Sequence, residues 1–264
     1  MKIKMYQVDA FTEKVFGGNP AAVCLLGTKW LPDNIMQDIA GENNLAETAF
    51  YIHTANGYSI RWFTPAVEVD LCGHATLAAA HVLFHHENIT AERIDFNSRS
   101  GVLSVSKDGD SLKLNFPTDK IEKIEYGEKL FPGFDIKPTE VYKGKFDYML
   151  IYENEEQIRN INIDLDKIAT VDARGVIITA KGNDVDFVSR FFAPQSGINE
   201  DPVTGSAHTT LVPYWHKKLN KTELSAKQIS ARGGKLKCRD LNERTEISGQ
   251  AVTYLIGEIT IENI

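Results

Sequence analysis

The sequence predicts an α+β protein built as two similar halves, and three observations predict it. Most of the 264 residues fall into short β-branched or aromatic runs, with few helical stretches between them. The run Arg61-Trp62-Phe63-Thr64-Pro65 recurs as Arg190-Phe191-Phe192-Ala193-Pro194. After an acidic loop, Cys72-Gly73-His74-Ala75 recurs as Thr204-Gly205-Ser206-Ala207, each time at the start of a predicted helix. The second loop is three residues longer than the first. These repeats divide the chain into an N-terminal half, 1–116, and a C-terminal half, 117–264, whose last strand is free to cross back to the first half.

The elements follow in order. “KIKMYQVDAF” alternates as a strand does. “FGGNPAAV” reads as a glycine-rich loop that either covers a ligand or turns the chain. It lacks the Lys-Ser/Thr of a phosphate loop and the G-x-G-x-x-G pattern. “LPDNIMQDIAGENN” is a helix with Pro32 and Asp33 at its start and Gly41 as its stop. “TAFYIH” and “YSIRWFT” are strands. “GHATLAAAHVLFHH” is apolar nearly all round, which marks a buried helix. “RIDFNS”, “GVLSVSKDG” and “SLKLNF” form a meander with a turn at “KDGD”. Residues 117–140 are charged and broken by proline and glycine, as a crossing segment would be. Beyond them, “FDYMLIY”, “GVIITA” and “VDFVSRFFAP” are strands and “IDLDKIAT” is a short helix. “GSAHTTLVPYWHKKLN” is a helix that Pro213 should kink or shorten. “KQISARGG”, “RTEISGQA” and “YLIGEITI” close the chain as strands.

Composition narrows the function classes. Hydrophobic residues make up 42% and charged residues 25%, enough for a sizeable core. A net charge of −7 with no long basic run argues against nucleic acid or an anionic membrane surface as partner. The three cysteines, Cys24, Cys72 and Cys238, are far apart and form no C-x-x-C pair, which suits a reducing compartment. The N-terminus carries no apolar run of the kind a secretory leader has, and no stretch is long enough to span a membrane. A cytoplasmic protein is expected.

The chemistry gathers around the two X-Gly-X-Ala turns. A helix start offers unpaired N–H groups and the positive end of the helix dipole, and glycine lets a ligand approach the backbone. Two such starts would suit a small anionic substrate; the alternative is that each glycine merely turns the chain into a buried helix. Cys72 has a helix start to lower its thiol pKa. Its repeat partner, however, is Thr204, and a two-thiol epimerase needs a cysteine on both sides. His74 at the helix start should tend to the neutral form and could relay a proton. Asp201, in “NEDPVTGS”, either forms the turn before Pro202 or serves a substrate that also carries an amine or hydroxyl. Ser206 either caps its helix or donates to a ligand. Glu47 stands just before an apolar strand; from its neighbours it reads first as a surface glutamate, and otherwise as a carboxyl whose charged form burial would disfavour, which would suit carbon acid/base work. His81 and His85 are spaced i, i+4, yet the sequence implies no third ligand, so no metal is expected there.

The stretches “QVDAFTEKVFGGNPAAV”, “NLAETAFY”, “RWFTPAVEVDLCGHATLAAAHVLF” and “NEDPVTGSAHTTL” resemble the PhzF-like isomerases of phenazine biosynthesis, which have the diaminopimelate-epimerase-like fold. They lie in both halves and span nearly the whole chain. The resemblance implies two pseudo-symmetric half-domains, each a barrel-like, mostly antiparallel sheet wrapped around a central helix that starts near Gly73 or Gly205. It implies a cleft between them for a small carboxylated substrate. It also implies cofactor-free isomerisation, as in the phenazine-pathway enzyme, where one carboxylate moves a proton between ring carbons of trans-2,3-dihydro-3-hydroxyanthranilate. By motif match that carboxylate is Glu47, and His74 and Asp201 take the other catalytic positions. Gly73, Gly205 and Ser206 match the substrate-carboxylate cradle, with Asn19 and Cys72 as further substrate-binding positions. No metal or cofactor is implied, and a homodimer is the family habit. Phenazine-pathway members tend to carry serine where this chain has Ala46, so membership does not specify phenazine chemistry. An epimerase or racemase using Cys72, or a non-catalytic small-anion-binding protein, remain the alternatives.

Overall fold

A computed structural model of the chain describes residues 1–55, 57–125 and 133–262. The chain forms two compact units. Unit 1 is Met1–Asn115 with Ser248–Ile264, and unit 2 is Phe116–Ile247. The C-terminal segment groups with the first unit, the crossing back that the sequence left open. Its backbone groups are taken up by the first strand of the chain. Within the proposed crossing segment 117–140, residues 126–132 lie outside the described residues.

Through unit 1 the elements are β1 (Lys2–Ala10), β2 (Asn19–Leu25), α1 (Asp33–Asn43), β3 (Glu47–Thr54), β4 (Gly57–Phe63), β5 (Glu68–Val69), α2 (Gly73–His85), β6 (Arg93–Ser98), β7 (Gly101–Asp108) and β8 (Ser111–Pro117). Unit 2 contributes β9 (Glu122–Lys123), β10 (Glu140–Lys143), β11 (Asp147–Ile151), α3 (Glu155–Asn160), α4 (Leu165–Ile168), β12 (Gly175–Lys181), β13 (Phe187–Phe192), α5 (Gly205–Leu219), β14 (Glu223–Gln228), β15 (Gly234–Asp240) and β16 (Arg244–Gly249). The last strand, β17 (Ala251–Thr260), returns to unit 1 and pairs antiparallel with β1.

The ladders of the two units match step for step. In unit 1, β2 pairs parallel with β3 across α1, β3 antiparallel with β4, β4 parallel with β6 across α2, and β6 antiparallel with β7. In unit 2, β11 pairs parallel with β12 across α3 and α4, β12 antiparallel with β13, β13 parallel with β14 across α5, and β14 antiparallel with β15. A parallel pair needs a crossover, and a helix supplies it each time. The α+β class with central helices stands. α2 is buried from Gly73 to Phe84 and lies against β1, β2, β3, β7 and β17. α5 lies against β11, β14 and β15. Each fully buried Leu on α2, such as Leu77 or Leu83, contributes about 1.5–3 kcal/mol. Burial, not propensity, therefore fixes this helix. Outside it, α1 packs Met36, Ile39 and Ala40 against Ile3, Cys24, Phe50 and Phe63. In unit 2, Ile158 of α3 and Ile168 of α4 fill the corresponding place against Leu150, Val176 and Ile178.

Three local expectations change. “FGGNPAAV” is a loop only as far as Gly18, and from Asn19 it is strand β2, paired with both β1 and β3. Gly18 adopts φ +61°, and a Cβ there would stand 2.1 Å from the Ala10 carbonyl oxygen, so only glycine fits the turn. α1 runs through Gly41 and ends at Asn44, whose left-handed conformation returns its N–H to the Ala40 carbonyl. α5 keeps 15 residues despite Pro213. The missing N–H of Pro213 frees the Thr209 carbonyl four residues earlier, and Asp119 N–H donates to it at 3.2 Å. An outside donor thus offsets part of the roughly 3 kcal/mol that an interior proline costs. β15 and α3 had no clear sequence signal.

Candidate active site

In unit 1 the site assembles from three elements. Glu47 is the first residue of β3, in register with Ala21 of β2, and is 8% exposed. Cys72 is the extended N-cap of α2, and Gly73 and His74 begin its first turn. Asn19 opens β2 and is fully buried. Glu47 Oε2 stands 3.0 Å from His74 Nε2. On the other side of the ring, Asn19 Nδ2 lies 3.1 Å and Cys72 Sγ 3.5 Å from His74 Nδ1. Thr76 Oγ1 donates to the Cys72 carbonyl at 2.5 Å and steadies the turn.

The Glu47–His74 contact is close but off the line a hydrogen bond needs. Neither Glu47 Oε2 nor His74 Nε2 has a hydrogen-bond partner among the described residues. Two buried polar atoms left unpaired cost about 1–3 kcal/mol each, so they mark a place where a ligand is expected to complete them. Above them is the start of α2, whose N-cap side chain makes no capping hydrogen bond. Its first-turn N–H groups and dipole face favour an anion.

The electrostatics reverse two sequence expectations. Burial pushes the Cys72 thiol up to about 11, with the Glu47 charge adding to it, and the helix start does not compensate. Cys72 is therefore a neutral thiol at neutral pH. For His74, burial acts to lower the pKa, but Cys72 and Glu47 together raise it well above the ordinary imidazole value. Cys72 and Glu47 thus act on the His74 imidazole in the opposite sense to the helix dipole.

Unit 2 gathers Asp201, Thr204, Gly205 and Ser206 at the start of α5. Thr204 is its extended N-cap, again without a capping side-chain bond. Thr204 Oγ1 donates to Asp201 Oδ2 at 2.5 Å. Gln228 of β14 braces the turn, accepting from Thr204 N–H at 2.8 Å and donating to the Asp201 carbonyl at 2.7 Å. Among the described residues, Asp201 is thus held in a polar turn, while Glu47 faces an imidazole. His208 Nδ1 donates to the Thr204 carbonyl at 2.8 Å, and burial lowers its pKa to about 4, so it is neutral.

Sequence reasoning brought Glu47, Cys72 and His74 to one place correctly. It took Asn19 as a substrate-binding residue, and the structure places Asn19 Nδ2 3.1 Å from His74 Nδ1. It missed Gln228, which has no sequence signal until β14 is paired with β13. It also missed the pair of buried Asp147 and partly exposed Arg174, joined by Arg174 Nε to Asp147 Oδ1 at 2.9 Å. No counterpart of Glu47 was visible in the second half, and the strand register now names one. Thr48 pairs with Phe63 and Val176 with Phe192, so Glu47 corresponds to Gly175. A Cβ on Gly175 would stand 2.4 Å from Phe191 Cζ, leaving no space for a side chain.

Comparison with known proteins agrees in both sequence and fold. The profile of the family described as phenazine biosynthesis-like protein matches residues 8–257. An uncharacterized isomerase of Pseudomonas aeruginosa is 48% identical over 261 residues, covering 99% of this chain and all of that one. The crystal structure of a PhzF-family phenazine biosynthesis protein from Enterococcus faecalis superposes with a TM-score of 0.95 at 47% identity, over 99% of this chain and 100% of that one. A predicted epimerase of Pseudomonas aeruginosa shares the fold at 19% identity and a TM-score of 0.73, over 98% of this chain and 100% of that one.

Proposed function

The chain belongs to the phenazine biosynthesis-like protein family, and on that footing we propose that it is a cofactor-independent isomerase that moves a proton between carbons of a small carboxylated substrate. The observation that carries this reading is the buried Glu47–His74 contact at 3.0 Å, with both facing atoms unpaired. An ionised Glu47 takes the proton from an activated carbon and returns it to another. The imidazolium of His74 stabilises or protonates the negative charge that develops meanwhile. First-turn N–H groups at Gly73 hold the substrate carboxylate and fix its orientation. For unit 2 we assign Asp201 an acid/base or orienting role and Gly205 and Ser206 a substrate-binding role, each to be read in the kinetics of its own variant. Cys72 serves as a neutral wall of the site and not as a base. Both the protonated state of its thiol and the threonine in its repeat position support this over an epimerase mechanism.

The test is proton exchange. Incubated in deuterated water with its substrate, or with small unsaturated amino acids screened as surrogates, the native protein should place deuterium on carbon. Glu47→Gln keeps the shape and removes the base. Exchange retained by that variant at the native rate would sink the assignment.

A further inference from the structure

The last strand, β17, differs from the others in exposure. It is 10 residues long and none of them is buried, whereas every other strand longer than two residues has buried positions. β1 takes up its hydrogen bonds on one side. Its middle carries Tyr254, Leu255 and Ile256, which are 48%, 37% and 57% exposed. Leu255 and Ile256 are successive and so point to opposite faces, which leaves apolar surface open on both sides of the strand. Phe16, 69% exposed, sets its ring 5.6 Å from that of Tyr254, and Val15 is exposed beside it. Phe16 adopts φ 73°, a costly conformation for an aromatic residue, and its N–H is tied to Asp9 Oδ2 at 2.8 Å. The chain thus accepts backbone strain and holds this ring outside. The five side chains together expose on the order of 500 Å² of apolar surface, and a patch of that size marks a contact surface.

We infer that β17 joins two copies of this chain, pairing antiparallel with β17 of the second copy about a two-fold axis near Leu255. Soluble proteins blunt an exposed strand edge with lysine, proline or a bulge, because an open edge pairs with other strands. From Ala251 to Gly257, β17 has no charged residue and no proline. A one-residue slip in its register with β1, opposite Gln7 and Val8, is the one such device it carries. The strand is also complementary to itself. Its single charged residue, Glu258, lies near one end, and the apolar triplet lies at the middle. Antiparallel pairing sends the two Glu258 side chains to opposite ends and lays the triplets together, whereas parallel pairing would set the carboxylates side by side. The edge is fixed before a partner arrives: Thr253 Oγ1 stands 3.0 Å from His81 Nε2 and 2.8 Å from His86 Nε2 on α2. Two copies would remove about 1,000 Å² from water, which is where specific interfaces begin. A two-fold contact uses the same patch on both copies, so the assembly closes at two. Family resemblance implies a homodimer without naming a surface; β17 supplies the surface and the pairing. The inference concerns unit 1 alone and does not depend on the isomerase reading.

The experiment is sedimentation velocity on the full chain from low to high micromolar concentration. The native protein should sediment at twice the chain mass of 29.5 kDa. Leu255→Lys and Ile256→Lys put a charge on either face of the edge, and each should weaken the dimer by at least about tenfold. Val102→Lys, at an exposed apolar position on β7, is the control and should leave the dimer intact. A native protein that is monomeric at every concentration overturns the inference. So does a dimer that neither β17 variant weakens, because its interface then lies elsewhere. Should the lysine variants fail to fold, amide hydrogen exchange on the native protein decides. The outer amides of β17 should be protected at high concentration and lose that protection on dilution. Exchange there that does not change with concentration overturns the pairing, as does protection that appears only when a different protein is added.

Discussion

In unit 1 the first residue of β3 is Glu47, and at the matching position of unit 2 the first residue of β12 is Gly175. Opposite them stand Ala21 in the first case and Asp147 in the second. The carboxylate has thus moved across the parallel pair. Its new partner is Arg174, which binds Asp147 through two nitrogens and lies over the Phe191 ring, 5.6 Å from its centroid. The frame around the two positions is conserved in detail. Arg61 binds Glu68 through two nitrogens at 2.7 Å each and lies over Phe63. Arg190 binds Glu200 through two nitrogens at 2.7 and 2.9 Å and lies over Phe192. Thr76 and His208, equivalent in the repeat, both donate to the carbonyl of the N-cap residue. One unit uses its carboxylate beside an imidazole with unpaired atoms, and the other neutralises its carboxylate with a guanidinium. That asymmetry supports the proposed single-base proton shuttle.

The largest effect that would break this contrast is on turnover. Glu47→Gln should lower kcat by about 10²- to 10⁴-fold with little change in folding, as loss of a general acid/base does. Asp147→Asn should do the opposite, leaving deuterium exchange within a few-fold while lowering stability. Breaking a buried ion pair costs about 3–5 kcal/mol, and the half-exposed Arg174 reduces that to about 1–3 kcal/mol in urea unfolding. If the two variants traded outcomes, the assignment of roles to the two units would be wrong.

A second contrast is in pH dependence. His208 has a folded pKa of about 4 against an ordinary 6.5. The unfolded chain therefore binds its proton more readily, and the contribution is present above pH 6.5 and lost as the pH falls toward 4. The loss amounts to about 3 kcal/mol. His74 has a raised folded pKa, so its contribution is complete below pH 6.5 and fades as the pH rises through the higher folded value. Denaturant unfolding across pH should show both limbs. His208→Asn should remove the acid limb and His74→Asn the alkaline one.

Smaller effects sharpen the comparison further. Gln228→Ala leaves the buried Thr204 N–H without its acceptor and should cost about 1–3 kcal/mol, with a rise in KM if the Asp201 turn meets substrate. Glu68→Gln and Glu200→Gln should each cost about 1 kcal/mol or less, with Glu68→Gln the larger because Glu68 also meets Arg99 at 2.8 Å. A difference of several kcal/mol between them in thermal unfolding would show that the repeat is one of sequence and not of energetics.

The sequence by itself determined many of the strands, the two buried helices and the duplication. Each rests on information local to the chain: alternation in “KIKMYQVDAF”, an apolar helix in “GHATLAAAHVLF”, and Arg-aromatic-Phe-x-Pro followed by X-Gly-X-Ala in both halves. It also pointed to Glu47, though only through motif resemblance, because a glutamate before an apolar strand reads equally well as a surface residue. Tertiary structure decided the rest. β17 joins unit 1 because β1 offers it an edge, and no pattern within “YLIGEITI” names that partner. α5 survives Pro213 because Asp119, 94 residues earlier, donates to the freed carbonyl. Asn19 has His74 as a hydrogen-bond neighbour, and burial with the Glu47 charge pushes the Cys72 thiol up where the helix start alone would lower it. Local pattern fixes which way a side chain points along its own element. Charge state and hydrogen-bond partners depend on what is packed against it from elsewhere in the chain.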